Sequence, residues 1–366
     1  MAKLLTPRLL LRGFGFFALA SAAGFIAVLI YGDNLGAFFR GLAAVHWGWV
    51  LIGLVLASAD WFGGGFRLWV IARQLMPNPS LKGTIMAGGM SAFAAAITPF
   101  QTGAAPMMIY AMRRYGIPLS VAATSTLMGF VGTVGFFAIA GPIAVVAGAG
   151  QSLGTRGNVF GLSLYDLFLG SLTIFAGIGV LLVAVMVFPS LVRNLFQKLA
   201  GWLGRRRPRW ADRVKHFQDG IEEAHSHLVR LNSPSGWGAI VACTLLSAVS
   251  HANKLLAGYV ALRAVGIEVN FVDVLLLQTL ITFLLYFAPT PGGSGIAEVM
   301  STAVMAVYVP KQVLPLYTLI WRLILSWYTV AFGALVFSQW VRQGLKGIAM
   351  QPTAEAVPGT PGEEPA

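Results

Sequence analysis

Five ionisable side chains interrupt otherwise apolar runs, and they are the residues best placed to do chemistry: Asp60, Arg67, Lys254, Glu298 and Arg322. A charge at membrane depth is costly, so it faces a partner, a cavity or a substrate path. Asp60, Gly64 and Arg67 fall at i, i+4 and i+7, on one helix face. Ser247, His251, Lys254 and Gly258 follow the same rule, as do Arg322, Ser326, Thr329 and Gly333. Three cations against two acids suit a site that neutralises an anion. Plainer roles stand beside that one. Arg67 is about 9 Å along the helix from Arg73, close enough to snorkel to the interface. Asp60 can serve a structural ion pair, His251 a hydrogen-bonded core, and Glu298 the favourable start of a helix dipole.

Two further groups carry spacing rather than charge. One reads Thr98-Pro99-Phe100-Gln101-Thr102-Gly103-Ala104-Ala105, the other Thr290-Pro291-Gly292-Gly293-Ser294-Gly295-Ile296-Ala297. They share Thr-Pro-x-x-Thr/Ser-Gly-x-Ala at an offset of 192 residues. Each breaks an apolar region, 83–115 and 272–308, into halves too short to span a bilayer. Irregular backbone at that depth survives only where protein or a watery cavity surrounds it. Half-helices starting near Gly103 and Gly295 would aim free amides and a positive dipole end at the break, a site for a phosphate. Gly292, Gly293 and Gly295 would let a headgroup approach the backbone.

The elements that position these residues follow from composition. Hydrophobic residues make up 57% of the 366, charged residues 10%, and mean hydropathy is +0.75. A soluble domain carries about 25% charged residues, so a cytosolic enzyme and a nucleic-acid-binding domain are poor fits despite the net charge of +12. A single cysteine excludes a disulfide framework or a cysteine-based zinc site. Six runs are long enough to span: 13–31, 47–72, 118–148, 165–188, 237–262 and 313–341. The first is too long for a signal-peptide core and reads as a spanning helix.

Lysine and arginine concentrate in 189–236, at the N-terminus and at the C-terminus, so all three should be cytoplasmic. An even number of crossings between them requires both broken regions to enter and return on one side. The expectation is an all-α polytopic membrane protein with six spanning helices and two re-entrant broken hairpins. The hairpins enter from opposite sides, as an inverted repeat does. The membrane domain should cover 1–342, and 343–366 should be a disordered cytoplasmic tail. Nearly all of the +12 then encodes topology, and the interior keeps three cations and two acids.

On these residues the sequence resembles the lysylphosphatidylglycerol synthase transmembrane region, or flippase-like domain, family over about residues 10–342. The family's Pro-Gly-Gly-x-Gly-x-x-Glu element is matched by Pro291 to Glu298, and the first patch by Thr98 to Gly103, followed by Tyr110 to Gly116. Many members carry a basic residue and an acid in the first patch, where this chain has Gln101 and Ala104. The resemblance implies moving polar lipids across a bacterial inner membrane. Bifunctional members add a soluble aminoacyl-transfer domain. This chain looks like the translocating module alone.

The expected function is a lipid flippase or transporter, not an enzyme and without a cofactor. Its substrate-binding set is Asp60, Arg67, Thr98, Pro99, Gly103, His251, Lys254, Pro291, Gly292, Gly293, Gly295, Glu298 and Arg322. Rival readings are a membrane enzyme acting on a polyprenyl-linked or glycolipid substrate, and a small-anion transporter. Against the enzyme stands the lack of paired carboxylates or a nucleophile–histidine set. No phosphate-binding loop motif is present. His225 and His227, two residues apart, point to different helix faces and do not suggest a metal site. Arg205, Arg206, Arg207 and Arg209, with Trp202 and Trp210, suit anionic inner-leaflet lipids rather than nucleic acid.

Overall fold

The computed structural model describes residues 7–146, 158–159, 162–206, 222–223, 225–286 and 288–349. The chain is an all-α polytopic membrane protein, apart from two paired two-residue strands, Asn158–Val159 and Leu162–Ser163. The helices are α1 (Pro7–Gly32), α2 (Leu35–Ala43), α3 (Trp47–Leu75), α4 (Leu81–Ala96), α5 (Ala104–Arg114), α6 (Leu119–Val146), α7 (Leu164–Val187) and α8 (Pro189–Arg206). After α9, over 225–231, come α10 (Pro234–Ala264), α11 (Phe271–Tyr286), α12 (Ile296–Met305), α13 (Leu314–Arg322) and α14 (Tyr328–Ala349). A π-helical turn, Leu323–Trp327, joins the last two.

Among the described residues five segments are long and apolar enough to cross a membrane: Leu11–Gly32, Trp47–Leu75, Leu119–Ile143, Pro234–Ala264 and Leu314–Trp340. The sixth expected span is helical as α7, with a shorter apolar stretch at Leu172–Val185. The structure adds one element and extends another. An amphipathic helix, α2, fills the loop after the first span, capped by the Asn34 carboxamide on Ala37 N at 2.7 Å. The last helix runs to Ala349, well into the segment expected to be disordered, because no proline interrupts it before Pro352. Residues 350–366 lie outside the described residues.

Both broken regions fold as helix–break–helix. Prolines stop α4 and α11, since the residue before proline is pushed out of the helical region. The breaks have matching backbones at the 192-residue offset over Thr98–Gln101 and Thr290–Gly293, and they diverge after that, at Thr102 (ψ −21°) against Ser294 (ψ 138°) and at Gly103 (φ −74°) against Gly295 (φ 80°). Phe100 has φ 50° and ψ 22°, and Gly292 has φ 57° and ψ 21°. Gln101 (φ 56°) and Gly293 (φ 65°) continue the correspondence. The second break places glycine at these left-handed positions, where it is free of strain; the first imposes the same fold on Phe100 and Gln101. The breaks also touch, through Phe100 N donating to Ala288 O at 3.3 Å.

Each unit returns to where it began. A Cβ on Gly83, at the start of α4, would lie 2.5 Å from the Tyr115 Cβ just past α5. In the second unit the Tyr308 hydroxyl donates to Asp273 at 3.3 Å.

Small residues let the helices that carry the charges pack closely, the main route to association in lipid. On α3, a Cβ on Gly65 would lie 2.3 Å from Ile85 Cα of α4, and one on Gly63 would lie 2.8 Å from Ser250 N of α10. Asp60 and Arg67, on the same stretch of α3, are thereby held between α4 and α10. Helix α1 lies along the breaks: a Cβ on Gly13 would be 2.3 Å from Ile97 O, and one on Gly24 would be 2.8 Å from Gly295 Cα.

Candidate functional site

The interior charges sort into two ion pairs and one remaining cation. On α3 and α10, Lys254 Nζ lies 3.9 Å from Asp60 Oδ2, and the Ser250 hydroxyl donates to Asp60 Oδ1 at 3.0 Å. At 3.9 Å the lysine and carboxylate attract without a formed hydrogen bond. On α12 and α13, Arg322 Nε donates to Glu298 Oε1 at 2.9 Å, and both side chains are fully buried. Glu298 Oε1 also accepts from the Ser21 hydroxyl of α1, which in turn accepts from Trp327 Nε1 at 3.0 Å. Glu298 Oε2 accepts from Gly295 N at 2.9 Å. Phe17 lies beneath the guanidinium, 5.8 Å from ring centre to Cζ.

The amides of the two residues that precede the half-helices, Gly103 and Gly295, are therefore not free. Gly295 N is taken by Glu298, and Gly103 N by the Thr98 hydroxyl at 2.8 Å. The chain supplies its own anion at the α12 dipole end and neutralises it with Arg322. This corrects the expectation that a ligand phosphate would meet those two amides. Thr98, Pro99, Gly103, Pro291, Gly293, Gly295 and Glu298 build the breaks and lie outside the walls of the two cavities described below. Gly292 does reach a wall.

Arg67 has a different environment. Its Nη1 donates to Thr133 Oγ1 at 2.6 Å, to Ser247 Oγ at 3.3 Å and to Gly129 O at 3.4 Å. It reaches sideways to α6 and α10 and does not snorkel. Among the described residues no carboxylate lies within salt-bridge distance of it. Its Nε is buried without a hydrogen-bond partner.

Two adjoining cavities open between these helices. The larger, about 360 Å³, is lined by Asp60, Gly64, Arg67, Gly88, Thr133, His251, Lys254 and others. The smaller, about 100 Å³, is lined by Gly292, Arg322, Ser326, Thr329, Thr282 and Leu285. Asp60, Lys254, Gln101 and Tyr286 belong to both walls. In the smaller cavity Arg322 Nη2 and Thr329 Oγ1 are buried without partners. His251 meets the Ser247 carbonyl through Nδ1 at 2.8 Å and the Tyr286 hydroxyl through Nε2 at 3.0 Å.

The expected helix faces are partly kept. Asp60, Gly64 and Arg67 all line the larger cavity, and Arg322, Ser326 and Thr329 the smaller. Gly258 and Gly333 instead pack on Gln278 and Phe93. Sequence reasoning missed Ser250, Thr133 and Ser21 as partners of the charges, and Tyr286 as the partner of His251. A polar stripe in α6 (Thr126, Gly129, Thr133) and the Gly13, Phe17, Ser21, Gly24 face of α1 were the readable signals.

Among the described residues no group of three or more histidine, cysteine or acidic side chains could hold a metal. His227 is tied to Thr124 through Nδ1 at 3.1 Å. Arg205 and Arg206 close α8, while Arg207 and Arg209 lie outside the described residues.

Comparison with known proteins gives two matches. A "UPF0104 membrane protein" from Archaeoglobus fulgidus is 24% identical over 292 residues, covering 79% of this chain and 86% of that protein. Residues 15–333, which hold all five interior charges and both breaks, match the lysylphosphatidylglycerol synthase TM region. A match over that much of the chain places it in that family of membrane proteins.

Proposed function

We propose that this protein transports a polar, anionic lipid across the membrane, with the lipid phosphate held beside Arg67 in the larger cavity. The observation that carries the reading is the uncompensated guanidinium of Arg67 on a cavity wall. A half-buried cation with no counter-charge beside it is costly, and a ligand phosphate supplies one. Lys254 and Arg322, expected to share the phosphate, are already matched by Asp60 and Glu298. Their role is to shape the walls. Family membership supports a lipid-related role.

On this reading the two broken units are re-entrant hairpins of an inverted repeat that rock about the site to expose it alternately to each leaflet. The matching left-handed turns at Phe100 and Gly292 support it. The termini and the basic loop face the cytoplasm, and the membrane is a bacterial inner membrane. No chemical conversion is assigned to the chain.

The test is reconstitution into vesicles with a fluorescent anionic phospholipid, reading movement between leaflets. A charge-assisted hydrogen bond contributes about 1.5–3 kcal/mol, so Arg67→Gln should slow transport at low lipid density about 10- to 100-fold. Transport at the wild-type rate in that variant removes Arg67 from the site. Uptake of inorganic phosphate without lipid movement would favour the small-anion reading. A change in lipid mass would favour an enzyme.

A further inference from the structure

We infer that the substrate headgroup carries one net negative charge, as a phosphodiester does, and that the loaded cavity is electrically neutral. This rests on the transport reading above and goes further, because it fixes the charge class of the substrate.

The charged side chains on the two cavity walls are Asp60, Arg67, Lys254 and Arg322. Asp60 faces Lys254, and Arg322 is matched from behind by Glu298. His251 places Nδ1 2.8 Å from the Ser247 carbonyl and Nε2 3.0 Å from the Tyr286 hydroxyl, contacts that a neutral imidazole satisfies in full. It also lines the same cavity as Arg67 and Lys254, where a third positive charge would meet two like charges. Among the described residues one positive charge remains, on Arg67.

In a weakly polar interior a mismatch of one unit is felt strongly in either direction. A neutral or zwitterionic headgroup that places both of its charges in the cavity leaves the count at +1. A dianion brings it to −1, with the surplus near Asp60. A single negative charge brings it to zero. Size agrees, since about 360 Å³ is at the small end of ligand pockets. That is room for a headgroup, with acyl chains left in the surrounding lipid.

The experiment has two arms. In vesicles, tail-matched fluorescent lipids are compared: phosphatidylglycerol (monoanion), phosphatidylcholine (zwitterion) and phosphatidic acid at alkaline pH (approaching a dianion). The wild type should move phosphatidylglycerol at least 10-fold faster than either of the others. Arg67→Gln lowers the site charge by one and should shift the preference towards phosphatidylcholine. Asp60→Asn raises it by one and should shift the preference towards phosphatidic acid. A wild-type preference for either other lipid overturns the inference, as does an equal loss on all three lipids in a well-folded, monodisperse variant.

The second arm needs neither variants nor transport. Calorimetric binding of glycerophosphoglycerol, glycerophosphocholine and glycerol 3-phosphate to the wild-type protein should favour the monoanion at least 10-fold. If the monoanion binds best while no lipid moves, the transport reading fails and the charge rule stands. If lipids move without charge preference, the charge rule fails and transport stands.

Discussion

Replacing Glu298 with glutamine tests how the second break is held together. The carboxylate accepts from Arg322, Ser21 and Gly295 N, and neither ionic partner is exposed. Glutamine keeps the shape but removes the charge. It also turns one oxygen into a donor, so that either Gly295 N–H or the Ser21–Arg322 side faces another donor. Removing one partner of a buried pair costs about 3–5 kcal/mol. At 1.4 kcal/mol per decade that is roughly two to three and a half decades in the folded-to-unfolded ratio.

Arg322→Met should cost less. It leaves Glu298 two neutral donors, whereas Glu298→Gln leaves Arg322 with only the Gly292 carbonyl, at 3.4 Å, and whatever the amide oxygen still provides. The double variant should cost clearly less than the sum, because no lone buried charge remains. Trp327, bonded to Ser21, gives a fluorescence signal at the site for SDS-driven unfolding in mixed micelles. The reasoning fails if Glu298→Gln unfolds within about 0.5 kcal/mol of wild type. It also fails if the two substitutions add.

Three other outcomes are expected. A Cβ on Gly89 would lie 1.9 Å from the Trp61 ring, whereas one on Gly15 meets nothing within 4 Å. Gly89→Ala should therefore lose about 1–3 kcal/mol by overpacking, and Gly15→Ala should match or exceed wild type in the same unfolding assay. Burial holds His227, outside the spans, below its ordinary value of 6.5, with Arg230 adding to the shift and Glu223 opposing it. The folded state then binds fewer protons than the unfolded one, so this contribution is complete above about pH 6.5 and is lost as pH falls below that value. Melting midpoints from pH 8 to 5 should fall less steeply in His227→Gln, and equal slopes would sink the idea. In a Cys243→Ala background, single cysteines at Lys82 and Arg114 should react with an impermeant maleimide from one face, and cysteines at Asp273 and Lys311 from the other. Labelling of Lys82 and Arg114 from opposite faces would refute the re-entrant reading.

Much of this architecture is readable in the sequence because membrane helices are written in length and hydropathy. Thr98-Pro99 and Thr290-Pro291 mark the breaks because a proline costs a helix a hydrogen bond and clashes with the turn before it, so that it stands out in an apolar run. The five interior charges stand out against their apolar background for the same reason. Their pairing is not readable: Asp60 and Lys254 are 194 residues apart, and helical spacing says which side chains share a face, not which faces meet. Glu298 is the clearest case. Its place in the first turn of α12 suggests either a helix-start acid or a cavity residue, and the fold uses it as the first while excluding it from the second. Ser21 was hidden because one hydroxyl in an apolar span carries no signal until its partner arrives from 277 residues away.

That last separation bears on how the protein is made. Helix α1 leaves the ribosome first, yet its face of Gly13, Phe17, Ser21 and Gly24 is shaped for Ile97, Gly295, Glu298 and Arg322. Until α12 and α13 have been synthesised, the insertion machinery must release or hold a helix whose polar notch has no protein to fill it. A chain stalled or truncated before Gly295 would present that notch to lipid, a ready mark for membrane quality control. The contact that closes the break can form only once synthesis has reached the second half of the chain.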